Sequence, residues 1–233
     1  RKIPPDRSLC REFFRKGCPV GTFFGLNFNL EEFDMAFTAQ DVKTLREITG
    51  CGMMECKKAL TEADGDQDKA IELLRERGLA AAAKKASRIA AEGVVKAYVD
   101  EAKKVGVVIE VNAETDFVAK NAEFQAFVDT CAKTVVEANP ADVDALNACK
   151  AVGSEMTISE LTTEKIQTIG ENIKIRRFAR YEGAVATYIH AGGSIGVMVK
   201  FDTDVADKEG FAEYGKDVAM QVAAANPSYL TEA

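Results

Sequence analysis

Apolar residues recur at helical spacing between residues 38 and 78 and predict three short helices. The first is expected to begin at Thr38, because Thr38 and Asp41 have the spacing of a capping box, and to end at Gly50. The second covers about residues 53–63, and the third follows a turn at residues 64–66 and is expected to stop at Gly78. The residues expected to face inward are Val42, Leu45 and Ile48, then Cys56, Ala59 and Leu60, then Ala70, Ile71, Leu73 and Leu74.

These helices, within residues 35–80, are short enough to form a minimal bundle. Their size and turns resemble a ubiquitin-associated domain, so a UBA-like module is expected here. Three acids, Asp64, Asp66 and Asp68, have the alternating spacing of a calcium loop. However, Arg75 occupies the twelfth position, where a bidentate Glu is required, so we predict that the acids serve as turn and helix-cap residues.

An Ala-rich stretch at residues 79–91 has high helix propensity and predicts a helical linker, which we assign to residues 81–91. Its three bases, Lys84, Lys85 and Arg88, admit two interpretations. They form either a phosphate-binding patch or the solvated face of a helix, and the second role is the more frequent for such charges.

The rest of the chain contains an internal repeat with an offset of 90 residues. The run Glu92-Gly93-Val94-Val95 recurs as Glu182-Gly183-Ala184-Val185, and Gly106-Val107-Val108 recurs as Gly196-Val197-Met198. Alternating apolar positions predict two strands in each copy, with Val107, Ile109 and Val111 on one face of the first. A helix follows each pair, at about residues 122–138 and 209–225, and each helix runs into Ala-Asn-Pro.

This pattern predicts an α+β fold with a duplicated core, in which antiparallel sheets pack against helices. Residues 92–140 form the first half of the core and residues 182–233 the second. Residues 141–181 supply connecting helices and a strand.

One connection differs between the two copies. Gly106 and Phe124 are 18 residues apart, whereas Gly196 and Phe211 are 15 apart, so the first copy has three additional residues after its second strand. That connection contains Thr115-Asp116-Phe117-Val118-Ala119-Lys120-Asn121, which has no counterpart in the second copy. It is either a functional elaboration of a duplicated scaffold or drift in a surface loop, and an apolar Phe among polar neighbours favours the first.

Composition narrows the possible functions. The 233 residues carry a net charge of -7, which disfavours broad nucleic-acid binding, and no run approaches the length of a membrane helix. A single histidine, the lack of a Gly-rich phosphate loop and the lack of a metal-ligand cluster argue against an enzyme or a cofactor. The six cysteines have no regular framework, so they are expected to be reduced thiols, and Cys51 and Cys56 to be structural.

The first 34 residues differ from the rest, since they hold six of the thirteen Phe and three of the five Pro. Glu31-Glu32 is compatible with a purine-rich ribosome-binding site read as protein shortly before Met35. We therefore expect Met35 to be the true start and residues 1–34 to be a translated leader without ordered structure. The alternative, a metal finger built on Cys10 and Cys18, lacks two further ligands nearby.

Several motifs together resemble the translation elongation factor Ts family. Residues 45–60, Leu-Arg-Glu-Ile-Thr-Gly-Cys-Gly-Met-Met-Glu-Cys-Lys-Lys-Ala-Leu, are similar to the amino-terminal domain of that family. Residues 115–121 match its most distinctive motif, and Ile173-Lys174-Ile175-Arg176-Arg177 and His190 with Ile195-Gly196-Val197 also match. The resemblance covers residues 35–232, and long family members continue with a helical hairpin and a further module, so a truncated carboxy terminus is expected.

The resemblance implies a partner and a mechanism. The family binds elongation factor Tu, in its GDP form or without nucleotide, and speeds GDP release in the bacterial cytoplasm; an organelle is the less favoured location. Asp116 and Phe117 are similar to the family's wedge, which disturbs the partner's magnesium and phosphate site. The residues that the resemblance assigns to partner contact are Thr115, Val118, Lys120, Asn121, Met53, Met54, Val42, Leu45 and His190.

Some of these assignments leave alternatives open. One of Met53 and Met54 is expected to pack internally, and Val42 and Leu45 are either contacts or core. Phe117 has the alternative of being a local core residue. For the whole chain, the competing function is a binding adaptor, a UBA-like domain on a scaffold without exchange activity.

Overall fold

The computed structural model describes residues 37–229, so the predictions about residues 1–34, Met35 and the last four residues lie outside it. Three helices come first: α1 (Ala39–Thr49), α2 (Met53–Glu62) and α3 (Gln67–Lys85). They pack around a core of their own, in which Leu45, Cys56 and Leu60 are fully buried. The predicted inward faces of α1 and α2 are confirmed except at Ile48, which is 62% exposed and lines an open groove with Ile71, Leu74 and Met156.

The predicted caps of this bundle are present. Thr38 and Asp41 form a reciprocal capping box at the start of α1, and Gly50 ends it in the left-handed conformation with φ of 65°. Asp66 is the N-cap of α3 and accepts from the backbone N–H groups of Asp68 and Lys69, both at 3.1 Å. Asp66 therefore caps a helix and Asp64 lies in the turn with φ of 50°, in the turn and cap roles that were predicted.

The prediction that the third helix stops at Gly78 is wrong. Helix α3 continues through Gly78 to Lys85 and so includes the first part of the predicted linker. Gly78 is buried where α3 packs against α7 (Ile158–Ile169), and a Cβ at this position would lie 2.5 Å from the Gln167 side-chain oxygen. The glycine thus permits two helices to approach each other, and the helix propensity of the alanines after it carries the helix onward.

The first half of the core begins with a hairpin of β1 (Glu92–Asp100) and β2 (Val105–Ala113). Val107, Ile109 and Val111 face one side of the hairpin and are at most 1% exposed, as the alternation predicted. The short helix α4 (Asp116–Ala119) follows β2, and α5 (Ala122–Ala138) then packs across the hairpin. Helix α5 ends before Asn139, which adopts the left-handed conformation with φ of 47° ahead of Pro140.

The connecting segment completes this first sheet. After α6 (Val143–Ala148) and α7, strand β3 (Lys174–Glu182) pairs antiparallel with β2, giving the order β1-β2-β3. A register shift at Glu110/Val111 interrupts the β2–β3 ladder. As a result β2 is covered by a strand on each edge and by α5, and most of its residues are buried.

The second half has β4 (Ala184–His190), β5 (Ile195–Phe201) and α8 (Phe211–Ala225). Its hairpin register repeats that of the first at the same offset: Val94 pairs with Val111, and Ala184 pairs with Phe201. Burial is much lower, however, since α8 buries only Gly215 and Ala219 whereas α5 buries eight residues. Mixed helices and antiparallel sheets confirm the α+β class.

The two hairpins contact each other through a reciprocal pair of glycines. A Cβ on Gly106 would lie 2.7 Å from a methyl of Val185, and a Cβ on Gly196 would lie 2.3 Å from a methyl of Val95. Gly196 and Val185 are the residues 90 positions after Gly106 and Val95, so each hairpin presents the same glycine to the same valine of the other. The Val95 N–H also donates to the Gly193 carbonyl at 2.7 Å.

No helix among residues 37–229 has the length and apolar character needed to cross a bilayer.

Candidate functional site

The additional residues of the first half form a tight turn between β2 and α5. Thr115 is extended, with φ of -127°, and the chain then makes the single helical turn α4. The N–H groups of Lys120 and Asn121 donate to the carbonyls of Phe117 and Val118 at 3.2 and 2.9 Å. The Asn121 side chain in turn caps α5 by accepting from the Glu123 N–H at 2.7 Å, so the turn is joined to a long helix.

Two neighbouring apolar side chains of this turn point in opposite directions. Val118 is 8% exposed and packs in the main core with Phe124 and the β2 valines. Phe117 is 81% exposed. The alternative that Phe117 is a local core residue is therefore excluded, and Val118 is the anchor that fixes the turn to the scaffold.

Asp116 forms an ion pair with Lys120, one helical turn later. Its carboxylate lies 2.7 Å from the Lys120 ammonium, both side chains being solvent-exposed. The hydrogen bond from Lys120 and its positive charge lower the pKa of Asp116 below the ordinary range. Asp116 is consequently an anion at neutral pH and is unsuited to donating a proton.

A carboxylate distant in sequence holds the start of the turn. Glu171 accepts three hydrogen bonds: from the Glu114 N–H at 3.1 Å, the Thr115 N–H at 3.0 Å and the Thr115 hydroxyl at 2.7 Å. Sequence reasoning missed Glu171, since 56 residues separate it from Thr115 and no periodicity connects them. The only nearby signal was the matching motif that begins two residues later, at Ile173.

A second set of contacts ties the same turn to the end of the linker. The Glu114 carboxylate accepts from the Asn172 N–H at 2.7 Å and lies 3.5 Å from the Arg88 guanidinium. The Asn172 amide donates to the Arg88 carbonyl at 2.8 Å, and the Lys85 ammonium donates to the Ile166 carbonyl at 3.1 Å. Lys85 and Arg88 thus make contacts within the protein, which disfavours the phosphate-patch interpretation of the linker bases.

The helical bundle presents a separate apolar surface at the start of α2. Met53 is 51% exposed and Met54 is 66% exposed, so the expectation that one of the pair packs internally is wrong. Both lie in the first turn of α2, and the buried face of that helix is occupied by Cys56, Ala59 and Leu60. The pair is flanked by the bases Lys57 and Lys58, which are also on the surface.

Two other candidate contact residues lie in the core instead. Val42 is 7% exposed and Leu45 is fully buried, because they form the inward stripe of α1 that packs against α2 and α3. Of the two interpretations left open for them, the structure supports core.

His190 lies at the end of β4 and is exposed. Its Nδ1 is 2.9 Å from the Tyr188 hydroxyl. Within residues 37–229, no three His, Cys, Asp or Glu side chains converge as a metal site would require. His190 and Tyr188 therefore form a small polar surface feature of the second half.

The cysteines of this part of the chain are free thiols. Cys51 and Cys56 are buried in the helical bundle, and desolvation raises the pKa of both. A raised pKa leaves little thiolate at neutral pH, so neither is an activated nucleophile, which agrees with a structural role.

Comparison with known proteins identifies a family that the chain resembles. The family model described as "Elongation factor TS" matches residues 114–233, a segment that starts at the turn bearing Phe117. A protein named elongation factor Ts from Syntrophotalea carbinolica is 53% identical over 199 residues, and one from Clostridium perfringens strain SM101 is 54% identical over 199 residues. Each alignment covers 84% of this chain and 65% of the relative, so the chain spans slightly less than two thirds of the length of these relatives.

Proposed function

Because the chain belongs to the elongation factor Ts family, we propose that it is a guanine-nucleotide exchange factor for the GTPase elongation factor Tu. In this proposal it binds elongation factor Tu, with GDP or without nucleotide, and promotes GDP release during translation elongation. It performs no covalent chemistry and needs no cofactor. It acts in the bacterial cytoplasm without direct contact with nucleic acid or membrane, which suits its net charge of -7.

The observation that carries the proposal is the 81% exposure of Phe117 on a turn that is fixed at both ends. Fully burying a Phe side chain is worth roughly 1.5–3 kcal/mol, so leaving it in water forgoes that stabilisation in the free protein. Val118 and the Asn121 cap hold the backbone after Phe117, and the hydrogen bond from the Thr115 N–H to Glu171 holds the backbone before it. A backbone fixed in advance loses little further entropy on binding, which suits a turn that must present a ring to a partner.

In the proposed mechanism, the Phe117 ring enters between side chains next to the magnesium and phosphate site of elongation factor Tu. Each 1.4 kcal/mol by which the partner's GDP site is weakened corresponds to about a tenfold lower GDP affinity. Because binding couplings are reciprocal, GDP must weaken the exchange factor's affinity by the same factor. A ternary complex is therefore short-lived, and the nucleotide leaves.

Asp116 and Lys120 orient this wedge in the proposal. Their 2.7 Å ion pair spans the four residues of the turn and brackets Phe117. The hydrogen bond and positive charge of Lys120 lower the pKa of Asp116, so the carboxylate of this pair is ionised at neutral pH. Thr115 and Asn121, which terminate the turn on either side, complete the set of residues proposed to present Phe117.

Met53 and Met54 form the second proposed contact. Their exposure leaves two flexible, polarizable side chains on the surface, a composition common at adaptable interfaces. Val42 and Leu45 support this contact from the core, and His190 is proposed as a peripheral contact of the second half.

The test is release of a fluorescent GDP analogue from bacterial elongation factor Tu, measured against the concentration of the chain. Wild type is expected to accelerate release, and Phe117→Ala to lower the maximal rate by about ten- to hundredfold, the factor that 1.5–3 kcal/mol supports. Met54→Ala should instead raise the concentration needed for half-maximal acceleration. Tyr214→Ala removes another exposed aromatic, 61% exposed on α8, and serves as the control for loss of apolar surface.

The outcomes separate the alternatives. If wild type binds elongation factor Tu but leaves release slow, the adaptor function is favoured over exchange. If Phe117→Ala and Tyr214→Ala behave alike, exposure at the turn does not identify the wedge.

A further inference from the structure

The proposed wedge stands on a turn of four helical residues, which is too short to hold its own conformation. Resting on the proposed function, we infer that Glu171 is the positioning residue that fixes this turn. Its carboxylate is proposed to clamp the backbone immediately before α4 and thereby set the direction in which Phe117 leaves the protein. Glu171 need not touch the partner.

The clamp is built from three donors on two consecutive residues. One carboxylate oxygen accepts from the Glu114 and Thr115 N–H groups at 3.1 and 3.0 Å, and the other accepts from the Thr115 hydroxyl at 2.7 Å. Thr115 is the N-cap residue of α4, so the clamp acts one residue before Asp116 and two before Phe117. Hydrogen bonds to a charged acceptor are shorter and stronger than neutral ones, and three of them fix both position and orientation.

The backbone on both sides of Glu171 is itself held in place. Glu171 follows Gly170, which ends α7 in the left-handed conformation with φ of 91°. It precedes Asn172 and Ile173, which are 7% and 3% exposed. Because its neighbours on both sides are fixed, Glu171 is a stationary support and not a mobile surface acid.

The same support also connects the wedge with the helical bundle. Asn172 and Glu114 bind the backbone and side chain of Arg88, just beyond α3. Helix α3 packs against α7, the helix that ends at Ile169, two residues before Glu171. One short segment, residues 170–172, therefore contacts the turn of Phe117 and the linker of the bundle that carries Met53 and Met54.

This arrangement distinguishes positioning from general stabilisation. A glutamine at position 171 keeps the size of the side chain and can still accept from both N–H groups through its amide oxygen, while its NH₂ donates to the Thr115 hydroxyl. An alanine removes every acceptor. Glu171→Gln should thus preserve the direction of Phe117 and Glu171→Ala should not.

The first experiment uses Phe117→Trp as a reporter, which is clean because the chain contains no tryptophan. Time-resolved anisotropy of this Trp is expected to show increased local motion on Glu171→Ala and near-wild-type motion on Glu171→Gln. Glu155→Ala is the matched control, since its side chain is 95% exposed and pairs only with Lys150. The readout requires no partner and so stands independently of the proposed function.

The second experiment measures GDP release from elongation factor Tu with the native Phe117. Glu171→Ala is expected to lower the maximal rate by about five- to tenfold, because only the fraction of molecules with a correctly held turn is competent. Glu171→Gln should recover most of the rate, and Glu155→Ala should equal wild type.

The failures are distinguishable. If Trp motion at position 117 is unchanged by Glu171→Ala, the positioning role is wrong whatever the exchange assay gives. If Trp motion increases while wild type itself does not accelerate GDP release, the clamp stands and the proposed function fails. If Glu171→Ala and Glu171→Gln lower the urea midpoint of unfolding equally and also slow exchange equally, Glu171 is a general stabiliser.

Discussion

The reciprocal glycine contact between the two hairpins permits a quantitative test of the fold. An alanine Cβ at position 106 would lie 2.7 Å from a Val185 methyl, and one at position 196 would lie 2.3 Å from a Val95 methyl, whereas ordinary contact begins at 3.4 Å. Valine is stiff at χ1 and cannot withdraw its methyls without leaving its rotamer. Overpacking of this kind costs about 1–3 kcal/mol, and Gly196→Ala should be the more costly change because its gap is smaller.

Removing the opposing methyls should relieve the strain. Val185→Ala is expected to recover about 1 kcal/mol or more of the cost of Gly106→Ala, and Val95→Ala to do the same for Gly196→Ala. The crossed combinations provide the control, since Gly106 faces Val185 and not Val95. In Gly106→Ala with Val95→Ala, the two effects should add to within about 0.5 kcal/mol.

The assay is equilibrium urea unfolding, with the midpoint compared at constant slope so that the change reports stability and not compactness. Wild-type stability in Gly106→Ala would refute the close approach of the hairpins. Equal rescue by Val95→Ala and Val185→Ala would refute the reciprocal pairing, because a nonspecific loosening of the core does not distinguish the two valines.

Two further predictions follow from ionisable groups. Cys131 is fully buried on α5 and desolvation raises its pKa to about 12, so iodoacetamide at pH 8 should leave its peptide unmodified by mass spectrometry until denaturant is added, and labelling in the folded protein would contradict the burial. Hydrogen bonds from the backbone N–H groups that they cap depress the pKa values of Asp41, Asp66 and Glu160 in the folded state. Depressed values mean that the unfolded state binds protons first, so their stabilisation is present at neutral pH and is lost as the pH falls below about 4.5. The urea midpoint should fall on acidification, and by less in the triple variant Asp41→Asn, Asp66→Asn, Glu160→Gln; an equal fall in both proteins would show that these caps do not titrate with folding.

Local patterns predicted most of the secondary structure. Capping residues at Thr38 and Gly50 fix α1, and alternation at Val107, Ile109 and Val111 fixes the buried face of β2, because each depends only on neighbours a few residues away. The repeat also predicted two hairpins, each followed by a helix ending at Ala-Asn-Pro. These features depend on residues that are close together in the sequence, so the sequence pattern is enough to predict them.

Features that depend on distant partners were not predictable in this way. Gly78 is of a residue type that often ends helices, but here it lies inside α3 and allows close contact with Gln167 on another helix. Ile48 continues the apolar stripe of α1 yet is 62% exposed, in a groove that is also lined by Met156 and by residues of α7, more than 100 positions away in the sequence. In the candidate site, residues 115–121 were evident as an additional segment, whereas Glu171, which holds that segment, is identified only once β3 brings it beside β2.

The difference in burial between the two halves bears on where a wedge can be placed. A rigid side chain transmits force to a partner only if its own support resists displacement, and resistance to local opening increases with buried apolar contact. Strand β2 lies between β1 and β3 under α5, and Val118 continues that core into the turn of Phe117. In the second half the residues of β5 are only partly buried and α8 buries two small residues. A turn like that of Phe117 would therefore be supported there by less buried apolar contact. The two hairpins, whose registers match at an offset of 90 residues, offer two comparable positions for the turn that we propose as the wedge, and the packing of the connecting segment makes the first of them the stiffer one.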